Sequence, residues 1–101
     1  IKLTPTCPIR TTLELIGGKW RLLIIHQLRS GALRLHQLKT SMPDISEKML
    51  IQELKRLMED GLVARHNFGE VPPRVEYSLT EKGTLVLPLL EKMVAFAKAY
   101  Q

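Results

Sequence analysis

Apolar positions near the start of the chain recur every three to four residues, which is the spacing of one helical face. Together with Pro8, which suits a first helical turn, this spacing predicts a helix over Cys7–Ile16. Gly17–Gly18 ends that helix. A second helix is predicted over Lys19–Ser30, and its centre, Leu22–Ile25, is apolar on every side. We therefore expect this centre in the middle of the core.

Two more helices joined by a turn are predicted in the middle of the chain. His36–Ser41 has the pattern of one or two helical turns and ends before Pro43, because the residue before a proline disfavours helical backbone. A longer helix begins after Ser46, whose hydroxyl suits the N-cap position, and ends at Gly61. Arg34–Leu35 is too short to assign from propensity, and we place a short strand there.

The longer helix has two contrasting faces. Leu50, Leu54 and Leu57 form an apolar stripe that we expect to be buried. At 100° per residue, the opposite face consists of long side chains that are polar and mostly basic. They are Lys48, Gln52, Lys55, Arg56 and Glu59.

The last third of the chain predicts a hairpin and a long helix. Leu62–Phe68 and Val75–Leu79 alternate apolar and polar residues, and the loop between them contains Pro72–Pro73. A final helix is predicted over Thr80–Tyr100. Pro88 lies inside it and removes one backbone hydrogen bond, so we expect a kink or a fresh start there.

The order of these elements predicts a winged helix-turn-helix. The fold class is mainly α with a small β-hairpin wing: helix, helix, short strand, helix, recognition helix, hairpin, long helix. With 101 residues the chain has the length of one domain, which we assign to residues 1–101. The DNA major groove is about 12 Å wide and admits one helix, so a helix held by an apolar back can present a polar front to the bases.

Composition narrows the class of protein. The chain is 45% hydrophobic and 25% charged, which argues against disorder. No apolar stretch approaches the ~18 residues of a membrane span, so we expect no membrane partner. One cysteine excludes an internal disulfide framework and a cysteine-rich zinc site. A secreted domain of this size would more often carry paired cysteines, so the chain is expected in the cytoplasm.

The net charge of +5 makes a polyanion such as nucleic acid the first partner to consider. The charge is not concentrated where the reading helix lies. Residues 34–79 carry seven basic and seven acidic side chains, whereas residues 1–33 carry five and one. The prediction of DNA binding therefore depends on which face the charges occupy.

Each candidate DNA contact has its own chemistry. Gln52 can read adenine through a bidentate hydrogen bond, and Arg56 or Lys48 can read guanine. Lys55 is equally suited to a phosphate, which positions the protein without specifying a sequence. The plain alternative for this face is a solvated helix surface. We interpret the acidic residues Glu53, Glu59 and Asp60 as charge partners within the helix.

Two candidates lie outside the middle of that face. Ser46 can donate to a phosphate from the helix N-terminus, although capping alone explains it. Arg74 stands at the hairpin tip, where flanking prolines stiffen the loop, and it can reach a minor groove or the backbone. Its plain alternative is an ordinary exposed loop arginine.

Several short stretches within residues 7–83 carry motifs of one known family. The most specific are Gly17–Trp20 and Pro73–Tyr77. The full set is Cys7–Pro8, Leu15–Trp20, Ile45–Ser46 with Met49–Leu50 and Leu54, Asp60–Val63, and Pro72–Tyr77 before Leu79–Thr80. On these motifs the chain resembles the HxlR family of bacterial winged helix-turn-helix regulators.

The resemblance implies a homodimeric regulator that binds a double-stranded DNA operator and has no catalytic activity. It implies dimer contacts through the first and last helices, the helix after Ser46 in the major groove, and Arg74 as the wing arginine. We expect a repressor. Some members of the family sense oxidants, quinones or aldehydes through a cysteine at the position of Cys7, which makes an oxidant or electrophile the expected effector.

Cys7 has independent support as a redox-sensing residue. A thiolate near a helix N-terminus is stabilised by the helix dipole, and Arg10 lies one turn on. One thiol per chain permits only a disulfide between chains, a mixed disulfide or an adduct. The alternative is a cysteine that packs and never reacts, in a regulator that responds to a small molecule.

Other classes of protein have less support in the sequence. A protein-binding winged-helix module would need no DNA, and a thiol enzyme would use Cys7 in turnover. The chain has no glycine-rich phosphate loop or nucleophile elbow, so we predict no enzyme. His26, His36 and His66 lack ligand spacing, so we predict no metal and no cofactor.

Overall fold

The computed structural model describes residues 7–101. Within that range the chain forms six α-helices and one two-stranded antiparallel sheet, in the predicted order. In chain order the elements are α1 (Pro8–Ile16), α2 (Arg21–Gln27), α3 (Leu35–Ser41), α4 (Glu47–Glu59), β1 (Val63–Asn67), β2 (Val75–Leu79), α5 (Glu81–Thr84) and α6 (Leu87–Tyr100). The fold is a mainly helical winged helix-turn-helix, as predicted.

The first two helices differ from the prediction in their ends and in one face. Cys7 is the N-cap of α1 rather than its first residue. The second helix is α-helical only to Gln27 and closes with a tighter 3-10 turn over Leu28–Ser30. Its apolar centre is not buried on every side. Ile24 is fully buried, but Leu23 is 45% exposed because only one face of α2 meets the core.

The helix-turn-helix consists of α3 and α4. At the start of α3, the N–H of Arg34 donates to the side-chain oxygen of Gln37 at 2.8 Å. At the start of α4, the hydroxyl of Ser46 accepts the N–H of Met49 at 3.1 Å, which confirms the predicted N-cap. After α4 the chain turns at Gly61, whose φ of 76° suits glycine.

The wing is the hairpin of β1 and β2. Val63 pairs with Leu79 at one end and Asn67 pairs with Val75 at the other. The short strand predicted at Arg34–Leu35 does not form there, because Arg34 is the N-cap of α3 and Leu35 is its first residue. One position earlier, Leu33 and Tyr77 form a single antiparallel bridge and exchange backbone hydrogen bonds of 2.8 and 2.9 Å. This bridge ties the wing to the segment that leads into α3.

The long C-terminal helix of the prediction is divided into α5 and α6. Thr80 caps α5, since its hydroxyl accepts the N–H of Gly83 at 3.1 Å. The helical path starts afresh at α6, and Pro88 stands in its first turn, where a missing N–H is tolerated. The expected fresh start near Pro88 is confirmed.

The core lies beneath α4 and is entirely apolar. Its largest fully buried side chains are Ile24, Ile25, Leu28, Leu38, Ile45, Leu50, Leu54 and Leu57. In α6, by contrast, no residue is buried, and Leu87 and Leu90 pack against the core only in part. Within residues 7–101, no helix combines the length and apolar character needed to cross a membrane.

Candidate nucleic-acid interface

The two faces of α4 have the predicted burial. Leu50, Leu54 and Leu57 are at most 1% exposed and hold the helix against the core. The four polar residues proposed to read DNA are all exposed. Their side chains make no hydrogen bond or ion pair with any other residue of the described chain, so nothing in residues 7–101 covers this face. They are Lys48, Gln52, Lys55 and Arg56.

Three of these four side chains border one shallow depression of about 300 Å³ on the surface of α4. They are Gln52, Lys55 and Arg56, whereas Lys48 lies outside its lining. Met49 also lines the depression, although it was named in the sequence only within a family motif and not as a DNA contact. Met49 lies three residues before Gln52, and this helical spacing could have predicted that it lies on the same face of α4.

Glu53 fixes this helix to the rest of the molecule, which the sequence interpretation missed. Instead of pairing within α4, its carboxylate accepts from the Nε of Arg21 at 3.2 Å. A terminal nitrogen of the same guanidinium donates to the backbone carbonyls of Glu14 and Leu15, at 3.2 and 3.3 Å. Arg21 therefore joins the end of α1 to the middle of α4.

Arg74 has partners that the prediction of a free loop arginine did not include. Its guanidinium carbon lies 3.9 Å from the centre of the Phe68 ring. Its nitrogens lie 3.4 Å from a carboxylate oxygen of Glu70 and 3.3 Å from one of Glu76. The His66 ring also contacts Phe68, with ring centres 4.3 Å apart and ring planes nearly perpendicular. We call these five residues the wing cluster.

Ser46 and Cys7 occupy the N-cap positions of two different helices. The Ser46 side chain is engaged as a cap and is exposed, so its contact with a phosphate stays a prediction. Cys7 is half-buried, carries a free thiol and stands directly before Pro8 at the start of α1. Its carbonyl oxygen accepts the N–H of Thr11 at 3.0 Å.

The three histidines lie apart from these features, except for His66 in the wing cluster. No group of three or more His, Cys, Asp or Glu side chains among residues 7–101 is arranged to hold a metal ion.

Known proteins share this fold and sequence. The family model of the HxlR-like helix-turn-helix matches residues 15–101. The HTH-type transcriptional regulator YkvN of Bacillus subtilis is 42% identical over 95 residues, which cover 94% of this chain and 80% of that protein. An HTH-type transcriptional regulator of Methanothermobacter thermautotrophicus is 40% identical over 94 residues, covering 93% of this chain and 72% of that protein.

Solved structures of regulators have the same fold as this chain. The redox regulator HypR in its oxidised form superposes with a TM-score of 0.87 at 36% identity, covering 92% of this chain and 96% of that chain. Quinone-bound YodB from B. subtilis has a TM-score of 0.80 at 36% identity, covering 92% and 99% of the two chains.

The chain is a transcriptional regulator of helix-turn-helix type, and it belongs to the HxlR-like helix-turn-helix family. The matched relatives are regulators, which is a non-enzymatic role.

Proposed function

We propose that this protein binds a near-palindromic DNA operator as a homodimer and represses transcription until Cys7 is modified by an oxidant or electrophile. The observation that carries the proposal is the uncovered polar face of α4 above its fully buried leucines. A helix anchored in this way can enter a major groove without losing core contacts.

Base reading is assigned to Gln52, Arg56 and Lys48, and phosphate contact to Lys55 and Ser46. Gln52 and Arg56 border the same depression, so one base pair can be approached from both side chains. Amide and guanidinium groups form bidentate hydrogen bonds with adenine and guanine respectively. Lysine is a point charge on a flexible stem, which suits a phosphate.

The wing contributes Arg74. Its guanidinium is positioned by Phe68 and held by two carboxylates in the free protein. When Arg74 contacts a phosphate or a minor groove, its guanidinium gives up these carboxylates and gains contacts with DNA. The Glu70 and Glu76 carboxylates therefore set how readily Arg74 engages DNA.

A homodimer through α1 and α6, within one domain over residues 1–101, is supported by apolar side chains that the single chain leaves in water. Seven of them lie on these two helices, and Phe96 and Tyr100 are 73% and 84% exposed. Side chains of both helices line one apolar depression, and an exposed apolar surface of this kind marks an interaction site. The seven are Ile9, Leu13, Leu89, Met93, Val94, Phe96 and Tyr100.

Modification of Cys7 is the proposed switch. Two copies supply two thiols, and an oxidant that accepts two electrons joins them as a disulfide with release of two protons. A quinone instead adds to the sulfur, forming a carbon–sulfur bond while the thiol proton passes to the ring oxygen. The names of HypR as a redox regulator and of YodB in quinone-bound form support this chemistry for relatives.

The test is selection of bound sequences from random duplexes, run with reduced and diamide-treated protein and with a Cys7→Ser control. We expect enrichment of a site whose half-sites are about one turn, ~10 bp, or more apart. For 6–10 phosphate contacts, affinity falls by ~10³–10⁵ between 50 and 200 mM salt. A lack of enrichment contradicts DNA reading and leaves a protein-binding module. Unchanged binding after complete modification of Cys7 contradicts the switch.

A further inference from the structure

Arg21 connects two helices that have different roles in the proposed function. Its side chain is only 15% exposed and that of Glu53 is 19% exposed, so both charges lie largely out of water. One end of the guanidinium holds the last carbonyls of α1, and the other end holds a carboxylate in the middle of α4. Glu53 lies 32 positions along the chain from Arg21, which makes this a tertiary contact rather than a local pair.

The chemistry of the contact suits a rigid connection. Guanidinium is planar and has five N–H donors in a fixed fork, so it can bind two carbonyls and a carboxylate at once. The three contacts are 3.2–3.3 Å long, and the charge on the guanidinium strengthens them relative to contacts of the same length between neutral groups. A displacement of the end of α1 relative to α4 therefore changes at least one of these three contacts or moves the Arg21 side chain.

The position of Glu53 on α4 gives the contact a functional consequence. Gln52 precedes it and Arg56 follows one turn later, and all three belong to one rigid helix. A rotation or shift of α4 imposed at Glu53 displaces both proposed base-reading side chains by a comparable amount. Base reading depends on hydrogen bonds of defined length and angle, whereas phosphate attraction tolerates such displacement.

We propose that Arg21 is a positioning residue that sets the placement of α4 relative to α1 and transmits the state of α1 to the base-reading face. The inference rests on the proposed reading of DNA by α4. It adds a route for regulation, because α1 begins directly after Cys7 and Arg21 holds the carbonyls of Glu14 and Leu15 in its last turn. A bond formed at Cys7 acts on one end of this helix, and Arg21 lies at the other.

The experiment compares Arg21→Ala and Glu53→Gln in full-length protein, with Arg29→Ala as a matched control. Among the described residues, the Arg29 side chain donates a hydrogen bond only to the carbonyl of His26, three positions earlier. Affinity is measured for the selected operator and for a random duplex of equal length. Each variant should lose about tenfold in the ratio of operator to random affinity, the mid-range for members of one ion-pair network. Arg29→Ala should leave this ratio unchanged.

The two variants separate positioning from simple charge. Arg21→Ala removes a positive charge and Glu53→Gln removes a negative one, so a charge effect moves DNA affinity in opposite directions. Positioning lowers the specificity ratio in both, and the double variant should be no worse than either single one. Ratios within twofold of wild type in both variants overturn the inference. If Arg21→Ala fails to fold, Glu53→Gln, which preserves shape, decides the result alone.

Diamide treatment gives the second readout. The change in operator affinity that modification of Cys7 causes in wild type should shrink at least to a third in Glu53→Gln, and an undiminished change overturns the transmission. Failure of the proposed function gives a different result, because the wild-type protein would then bind the operator and the random duplex with equal affinity. A wild type that prefers the operator but ignores diamide overturns both the switch and the transmission, and the specificity ratio then decides the positioning role.

Discussion

The guanidinium of Arg74 lies over the ring of Phe68, with its carbon 3.9 Å from the ring centre. The same guanidinium is contacted by the carboxylates of Glu70 and Glu76, each at one nitrogen. Glu70 is the more exposed of the two acids, at 45% of its side chain. In the free protein, two neighbouring carboxylates therefore partly neutralise the positive charge of Arg74.

Glu70→Gln should strengthen DNA binding. The change removes a carboxylate that competes for Arg74 and repels phosphates. An exposed ion pair is worth ~0.2–1 kcal/mol, so operator affinity should rise by at most about fivefold at low salt. Titrations at two salt concentrations measure the effect, and Glu81→Gln on α5 is the control for a simple change of net charge. Equal gains in both variants would assign the effect to net charge alone.

Gln52→Ala and Arg56→Ala should each cost ~1–3 kcal/mol of operator binding and relax the preference at one base position. Lys55→Ala should weaken all duplexes alike and reduce the salt slope by about 1, because a phosphate contact carries no sequence information. Selection from random duplexes with each variant measures the preference at every position. Uniform weakening in all three variants would mean that this face does not read bases.

Gly83→Ala should destabilise the fold. A methyl group at Gly83 would overlap the backbone carbonyl oxygen of Leu62, where α5 crosses the start of the wing. Such overpacking costs ~1–3 kcal/mol, which lowers Tm by about 4–8 °C per kcal/mol in a domain of this size. Thermal unfolding measures the shift, with Lys82→Ala on the exposed side of the same turn as control. An unchanged Tm would show that α5 moves aside without loss.

Phe96→Glu should dissociate the proposed dimer. Phe96 is 73% exposed in the single chain, and a carboxylate placed inside an apolar interface loses its hydration without gaining a partner. Sedimentation velocity measures the molecular mass. Val71→Glu is the matched control, because Val71 is 98% exposed but lies in the hairpin loop. Dissociation by both changes, or by neither, would argue against an interface at α6.

The sequence predicted the parts of the site that follow from local periodicity. The stripe of Leu50, Leu54 and Leu57 and the cap at Ser46 are fixed by residues within a few positions of each other. The contact of Arg21 with Glu53 could not be predicted in this way, because it depends on how α2 crosses α4. Leu23 shows the same limit, since an apolar run does not reveal which face a neighbouring helix covers.

The wing cluster is an intermediate case. Arg74 and Glu70 are four positions apart, but the loop between β1 and β2 is not helical, so helical spacing does not apply. Phe68 meets Arg74 because the hairpin register places them across from each other, and the N–H of Phe68 donates to the carbonyl of Arg74 at 3.0 Å. That register depends on the turn geometry, which the proline-rich loop did not disclose.

The last ten residues of α6 are all exposed, and the helix meets the core only through its first turns. An isolated helical segment of this length is marginal in water. Its helical form should therefore depend on contact with a second chain. When the protein is diluted, circular dichroism should show a loss of helical signal from this segment while the rest of the fold stays intact. Dimer formation and the folding of this segment would then be one equilibrium that depends on protein concentration.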